Sequence, residues 1–285
     1  MRRKYIRIAV FALCIAAIAA GLVYGNRHLV TTEYTVQIAA LPPAFEGFRI
    51  VQLSDLHNAE FGKDNKRLIE QVRQAKPDII AITGDFVDSR RTDCAVSVAL
   101  ARTLATLCPV YYVTGNHEEH LPAQTQESFY RDLSAAGVTL LHDKAETLTR
   151  AGATLSLIGI WESSLWGDTL STLIEKTPNT VHIVLAHPPH RLRFYAEAKA
   201  ELVLCGHAHG GQIRLPFLGG LVVPGQGFLP DYTDGVYTRD DTQMVVSRGL
   251  GNSIFPLRVF NCPEIVVVNL TDCRERTTDA VFFGR

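Results

Sequence analysis

The sequence has no C-x-x-C pair, which excludes a cysteine zinc knuckle and a thioredoxin-like redox motif despite its six cysteines. Cys14 lies in an N-terminal apolar run and Cys205 closes a short apolar stretch. Cys94, Cys108, Cys262 and Cys273 remain, so five stand outside the run. An odd number does not read as a disulfide framework, and individual pairings stay open. Charge of either sign is not in excess: 28 Lys and Arg face 29 Asp and Glu, a formal net charge of −1. No nucleic-acid partner is therefore indicated by a basic surface. There is no low-complexity tract, no repeat beyond an alternation of strand and helix patterns, and no break in composition after residue 40. At 285 residues, 47% of them hydrophobic, the chain has ample apolar material for one large domain.

A second long apolar run is also missing, but the first is pronounced. Arg2, Arg3, Lys4 and Arg7 precede an uncharged stretch from Ile8 to Asn26, within the ~17–25 residues that span a bilayer. Basic charge ahead of such a run predicts the N-terminus inside and the remainder outside. Residues 1–30 thus read as a membrane anchor or export signal, with the membrane met through residues 8–26. Ala17-Ile18-Ala19 offers a signal-peptidase site, which would give an exported soluble enzyme. "RRKYIR" also resembles a twin-arginine signal, though Met1 stands where that pattern carries Ser or Thr. Apolar character continues through Leu22, Val23 and Tyr24, which favours an uncleaved anchor.

Beyond a short linker, "YTVQIAA" (34–40) alternates like an edge strand and "LPPAFEG" reads as a plain surface connection. "FRIVQLSDLH" (48–57), "DIIAITGDFVD" and "PVYYVTGNHEEH" are strands ending in polar residues. The helical segments "KDNKRLIEQVRQAKP" and "CAVSVALARTLATL" separate them. Asp55 to Asp85 spans 30 positions and Asp85 to Asn116 spans 31, the length of a βαβ repeat. Each polar residue then falls at the carboxyl end of a strand, where open α/β sheets bind ligands. The second half is richer in strands: "TLSLIGI" (154–160), "TVHIVLAHPP" (180–189), "ELVLCGHAH", shorter ones near 220–223, 235–238 and 243–247, and "EIVVVNL" (264–270). "FYAEAKA" reads as a surface connection.

The polar residues at these strand ends are Asp55, His57, Asp85, Asp88, Asn116, His117, Glu118, His187, His207 and His209. Carboxylates, an amide and several imidazoles gathered in one place need cations. Mixed oxygen and nitrogen donors suit zinc, manganese or iron better than calcium or copper(I). They also exceed the four ligands of one tetrahedral zinc, so two divalent metal ions (Mn, Zn or Fe) are the economical account. A metal pair clamps the attacking and leaving oxygens of an in-line displacement at phosphorus.

The order D-x-H, G-D-x-x-D, G-N-H-E, H, G-H-x-H resembles the calcineurin-like metallophosphoesterase superfamily. The tail "SRGLGNSIFPLRVFNCPEIVVVNL", together with "GHAHGGQIRLP", resembles its bacterial membrane-associated branch. The resemblance implies an α/β fold of two packed sheets flanked by helices, four layers in the order αββα. The catalytic domain would occupy residues 31–285, with its motifs within 48–215. It also implies that Asp55, His57, Asp85 and His209 hold one metal. Asp85 would bridge to a second, completed by Asn116, His187 and His207, and a hydroxide shared by the metals would attack phosphorus. His117 would protonate the leaving oxygen or stabilise its charge, and Asp88 and Glu118 would orient ligands by hydrogen bonds. Arg214, Arg248 and Arg258 are possible grips for phosphate, against a default of solvated arginines. His120, His142, His182 and His190 match no motif and read as packing or surface histidines.

The implied activity is phosphoester hydrolysis, as a phosphodiesterase or phosphatase, on a single-pass membrane enzyme whose catalytic domain lies outside the cytoplasm. The alternatives are a cytoplasmic-face orientation and a lipid-linked pyrophosphate hydrolase of the UDP-2,3-diacylglucosamine type, with a lipid-linked or cell-envelope substrate. From another class, a membrane-tethered binding protein on a dead scaffold is the rival. The intact ligand set speaks against it.

Overall fold

Two six-stranded sheets stack face to face in a computed structural model that describes residues 2–215, 217–223, 226–253 and 256–273. Its strands are β1 (Val30–Ile38), β2 (Arg49–Leu53), β3 (Ile79–Thr83), β4 (Val110–Val113), β5 (Val138–Leu140), β6 (Lys144–Arg150), β7 (Ala153–Gly159), β8 (His182–Leu185) and β9 (Leu202–Cys205). Four two-residue strands follow: β10 (Arg214–Leu215), β11 (Gly219–Gly220), β12 (Val222–Val223) and β13 (Gly227–Phe228). The last three are β14 (Gly235–Arg239), β15 (Thr242–Val246) and β16 (Glu264–Asp272). Helices are α1 (Arg2–Arg27), α2 (Lys66–Gln74), α3 (Ala95–Leu104), α4 (Asn116–Glu119), α5 (Ala123–Ala135), α6 (Thr169–Lys176) and α7 (Leu192–Glu197).

The first sheet runs β1-β16-β2-β3-β4-β5 and the second β14-β15-β9-β8-β7-β6. β2 to β5 are mutually parallel, as are β7, β8, β9 and β15. Strand pleating sorts the apolar runs between layers. In β3, Ile79 and Ala81 face the inter-sheet core, while Ile80 and Ile82 pack outward with Leu68, Leu100 and Leu133 of the helices. In β9, Leu202 and Leu204 face inward, whereas Val203 and Cys205 join Leu170 and Leu192. Strands buried on both faces explain the unbroken apolar runs. The result is the expected four-layer arrangement.

Two segments depart from the expectation. "LPPAFEG" is not a surface connection: Leu41 and Phe45 are fully buried in the inter-sheet core. Half of "FYAEAKA" belongs to α7, which buries Tyr195. All six cysteines are free thiols. Among the polar residues, Gln52 is completely buried and ties the sheets together below the strand ends. Its Nε2 donates to Thr83 Oγ1 of β3 (3.0 Å) and to the Cys205 carbonyl of β9 (2.8 Å).

Candidate metal centre

Every motif residue follows a central strand of one sheet or the other. Asp55 and His57 come after β2, Asp85 and Asp88 after β3, and Asn116, His117 and Glu118 open α4 directly after β4. His187 follows β8, and His207 and His209 follow β9. Because the two sheets face each other, these carboxyl ends converge on one point.

Two donor groups form there. Ligand-capable atoms of Asp55, His57, Asp85 and His209 lie within 4.8 Å of one another, and so do those of Asp85, His187 and His207. Asp85 belongs to both. Its Oδ2 is 3.2 Å from His187 Nε2 and 3.6 Å from His57 Nε2. On one side His57 Nε2 faces His209 Nε2 at 3.2 Å, and His209 Nε2 is 3.4 Å from Asp55 Oδ1. On the other, His207 Nδ1 is 3.2 Å from His187 Nε2 and 2.9 Å from Asn116 Oδ1. His57, Asp88 and His117 make a third, overlapping group.

The backbone is bent to achieve this. Asp55, His57, Asp85, His207 and His209 all hold positive φ, from 45° to 69°, a conformation that non-glycine residues adopt uncommonly and that gathers at functional sites. Gly84 makes room: at φ 89°, a Cβ there would lie 2.6 Å from His187 Nδ1 and 2.6 Å from the Gly115 nitrogen. At Gly115 a Cβ would collide with Asp85 itself.

Burial dominates the electrostatics. It pushes the Asp55 carboxyl up to about 6 and the His57 imidazole down to about 3. Burial, then the neighbouring His57, holds His209 well below the usual imidazole range. Burial alone would raise Asp85, but the charge and hydrogen bond of His187 keep it well below the carboxylate range. The same pairing outweighs burial at His187 and lifts it well above its ordinary value.

This donor set fits divalent metals. Two imidazole nitrogens face each other beside buried carboxylates, and among the described residues no lysine or arginine bonds to Asp55 or Asp85. The Nδ1 atoms of His57 and His209 are buried without a hydrogen-bond partner. His187 carries the partner usual for a ligating histidine: its Nδ1 donates to the Thr83 carbonyl at 2.8 Å, leaving Nε2 free to coordinate.

Glu118 organises the rim. Its Oε2 accepts from the Asp85 and Gly115 amides (2.9 and 2.8 Å), and its Oε1 from those of Phe86 and Val87 (2.6 and 3.1 Å). One buried carboxylate thus staples the end of β3 to the start of α4. Burial and then Asp85 push its carboxyl up to about 7, and the backbone donors pull the other way. Asp88, also buried, bonds Arg90 and Arg91 and lies 3.5 Å from His117 Nδ1. His117 Nδ1 accepts from the Ser89 amide at 3.1 Å, and its Nε2 is 3.1 Å from Ser253 Oγ. Neither serine is singled out by its sequence context.

Arg258 departs from the default of a solvated arginine, and all three arginines are engaged by groups of the chain itself. Arg258 is fully buried and donates to the carbonyls of Arg248 and Gly251 and to Asn252 Oδ1; burial lowers it to about 10. Arg248 pairs with Glu264 and Arg214 with Asp234. Of the unmatched histidines, His182 pairs with Glu201, His142 stacks on Trp161 and His120 bonds the Asn116 carbonyl. His190 sits near His207, ring centres 6.1 Å apart.

Residues 48–211 match the family model described as calcineurin-like phosphoesterase. The uncharacterized metallophosphoesterase YkuE of Bacillus subtilis (strain 168) is 33% identical over 282 residues, covering 94% of this chain and 97% of that one. Phosphodiesterase YaeI of Escherichia coli (strain K12) is 29% identical, with 78% and 82% covered. A transmembrane protein with metallophosphoesterase domain from Danio rerio is 27% identical, with 93% and 63% covered.

Proposed function

The chain belongs to the calcineurin-like phosphoesterase family and is a metal-dependent phosphoester hydrolase, and from that premise we propose a membrane-anchored phosphodiesterase built on a dinuclear centre. Asp55, His57, Asp85 and His209 would hold one metal, and Asp85, Asn116, His187 and His207 the other. The observation that carries this reading is Asp85, whose Oδ2 lies within reach of histidines from both donor groups. When bound, divalent metals supply charge neutralisation at the phosphoryl oxygens and a nucleophile from water at neutral pH.

The protein's own groups do the rest. Asp85 Oδ1 accepts the His117 amide at 2.8 Å, so the shared carboxylate and the proton donor are fixed to one frame. His117 would act as an imidazolium, passing its Nε2 proton to the leaving-group oxygen and being left as the neutral ring. Ser253 Oγ, 3.1 Å from Nε2, would hold the direction of that atom. Asp88 sits behind the same ring, its Oδ1 3.5 Å from Nδ1.

Residues 1–30 would form the anchor and 31–285 the catalytic domain, placed outside the cytoplasm by the basic N-terminus. Support comes from the length and exposed apolar surface of α1 and from a relative named as a transmembrane protein. A diester is favoured by the name of the Escherichia coli relative; a lipid-linked pyrophosphate is the alternative substrate. Metal analysis combined with turnover of bis-p-nitrophenyl phosphate and of nucleotide-linked lipids tests the reading. Two metals per chain and metal-dependent diester cleavage are expected; cleavage confined to the lipid pyrophosphates selects the alternative.

A further inference from the structure

Outside α1, the exposed large apolar side chains of the described residues are Trp166 and a group confined to residues 215–260. Single exposed apolar residues need no explanation, but those at 215–229 and 257–260 lie on segments bonded to one another. Val259 pairs with the segment 212–214 through Ile213 and Arg214, β10 pairs with β11, and Leu229 bonds Leu221 beside the β12–β13 pair. The ribbon so formed presents Phe217, Leu218, Phe228 and Leu229 to solvent, and Phe260 and Leu257 extend the face. Phe217, Leu229 and Phe260 each hold a positive φ (68°, 53° and 51°), which bulky residues rarely adopt.

The face ends against the root of α1. Asn26 Nδ2 donates to the Arg258 carbonyl (3.0 Å), and Asn26 Oδ1 accepts from the Arg258 amide (2.8 Å) and from Asn252 Nδ2 (3.1 Å). Higher up the helix, Ala17, Gly21 and Leu22 line a cavity of about 410 Å³ together with Val259 and Phe260. Phe260 therefore stands level with residues that lie inside the apolar stretch of the helix, not beyond its end. If that stretch occupies lipid, Phe260 does too, and the ribbon beside it meets the interface.

We propose that Phe217, Leu218, Phe228, Leu229, Leu257 and Phe260 form a lipid-docking face that enters the same leaflet as the base of α1. This rests on the reading that α1 lies in a membrane. Exposed apolar patches of this kind mark membrane or partner surfaces, and continuity with the helix selects the bilayer here. The segment that carries Leu257 and Phe260 also carries Ser253, which touches His117. Docking would therefore hold the catalytic rim close to phosphoesters borne on lipid.

The test uses full-length protein in phosphatidylethanolamine–phosphatidylglycerol vesicles, with and without lipids brominated on their acyl chains. Tryptophan is introduced singly as Phe217→Trp, Phe260→Trp and, within the helix, Leu13→Trp, and the emission of the parent protein is subtracted. All three positions are exposed, which leaves room for the larger ring. Quenching and a blue shift for Phe217→Trp and Phe260→Trp, alongside quenching of Leu13→Trp, support the docking face. Quenching of Leu13→Trp alone overturns it and leaves the anchor standing. If Leu13→Trp is not quenched, the anchor reading fails and the docking face with it.

Discussion

Asp85 shows how much a single carboxylate is asked to do in this site. One oxygen faces His187 and His57 and the other fixes the His117 amide. Asp85→Asn keeps the shape and the amide bond but removes the charge that two cations share. Bound metal should fall below two equivalents and diester hydrolysis should fall with it. Two retained metals with normal turnover would move the bridge elsewhere. His117→Gln should leave metal content intact while kcat drops by roughly 10²–10⁴, the usual contribution of a positioned acid. The drop should shrink for good leaving groups, which need less protonation; an equal drop across leaving groups would make His117 a phosphate-positioning residue. Donor residues such as these were legible in the sequence because histidine and aspartate at the end of an apolar run have few other reasons to be there. Ser253 and Arg258 were not. A serine is too common to stand out, and the burial of Arg258 depends on carbonyls that only the folded 248–252 segment brings around it.

At the scale of elements, the site depends on the join between β3 and α4. Glu118 supplies that join with four backbone amides on its two oxygens. Glu118→Gln retains one oxygen and turns an NH₂ group toward two N–H donors. Each buried donor left unsatisfied costs ~1–3 kcal/mol, and 1 kcal/mol lowers Tm by roughly 2–4 °C in a domain of this size. A clear fall in Tm is expected, with a fall in kcat as Asp85 loses its frame. An unchanged Tm would show that the amides find other acceptors. Elements were readable wherever burial imposed a pattern: β2, β3, β4, β8 and β9 are apolar runs because both faces are covered. Others left little trace. The edge strand β6 is largely exposed and polar, and α5 fully buries only Phe129 and Leu133. The turn containing Phe45 looked like surface because its apolar residues follow neither period.

For the whole molecule the decisive element is α1, a 26-residue helix whose apolar window is not buried against the domain. Salt screens attraction between surface charges but does not weaken burial of an apolar helix in lipid. Full-length protein should therefore stay in the membrane fraction through a high-salt wash and leave only with detergent. Removing the helix must respect the fold. Leu29 is buried in the core behind the first sheet, the Val30 amide bonds the Pro263 carbonyl, and Asn26 is tied to Arg258. A chain beginning at Gly25 preserves all three contacts, whereas one beginning at Thr31 discards them. The longer form should be soluble, load its metals and cleave bis-p-nitrophenyl phosphate, and the shorter one should melt at a lower temperature. Against phosphodiesters embedded in vesicles, the Gly25 form should lose activity relative to the anchored protein while keeping it on the soluble diester. Equal activity on both substrates would mean that α1 sets location alone and contributes nothing to how substrate reaches the metals.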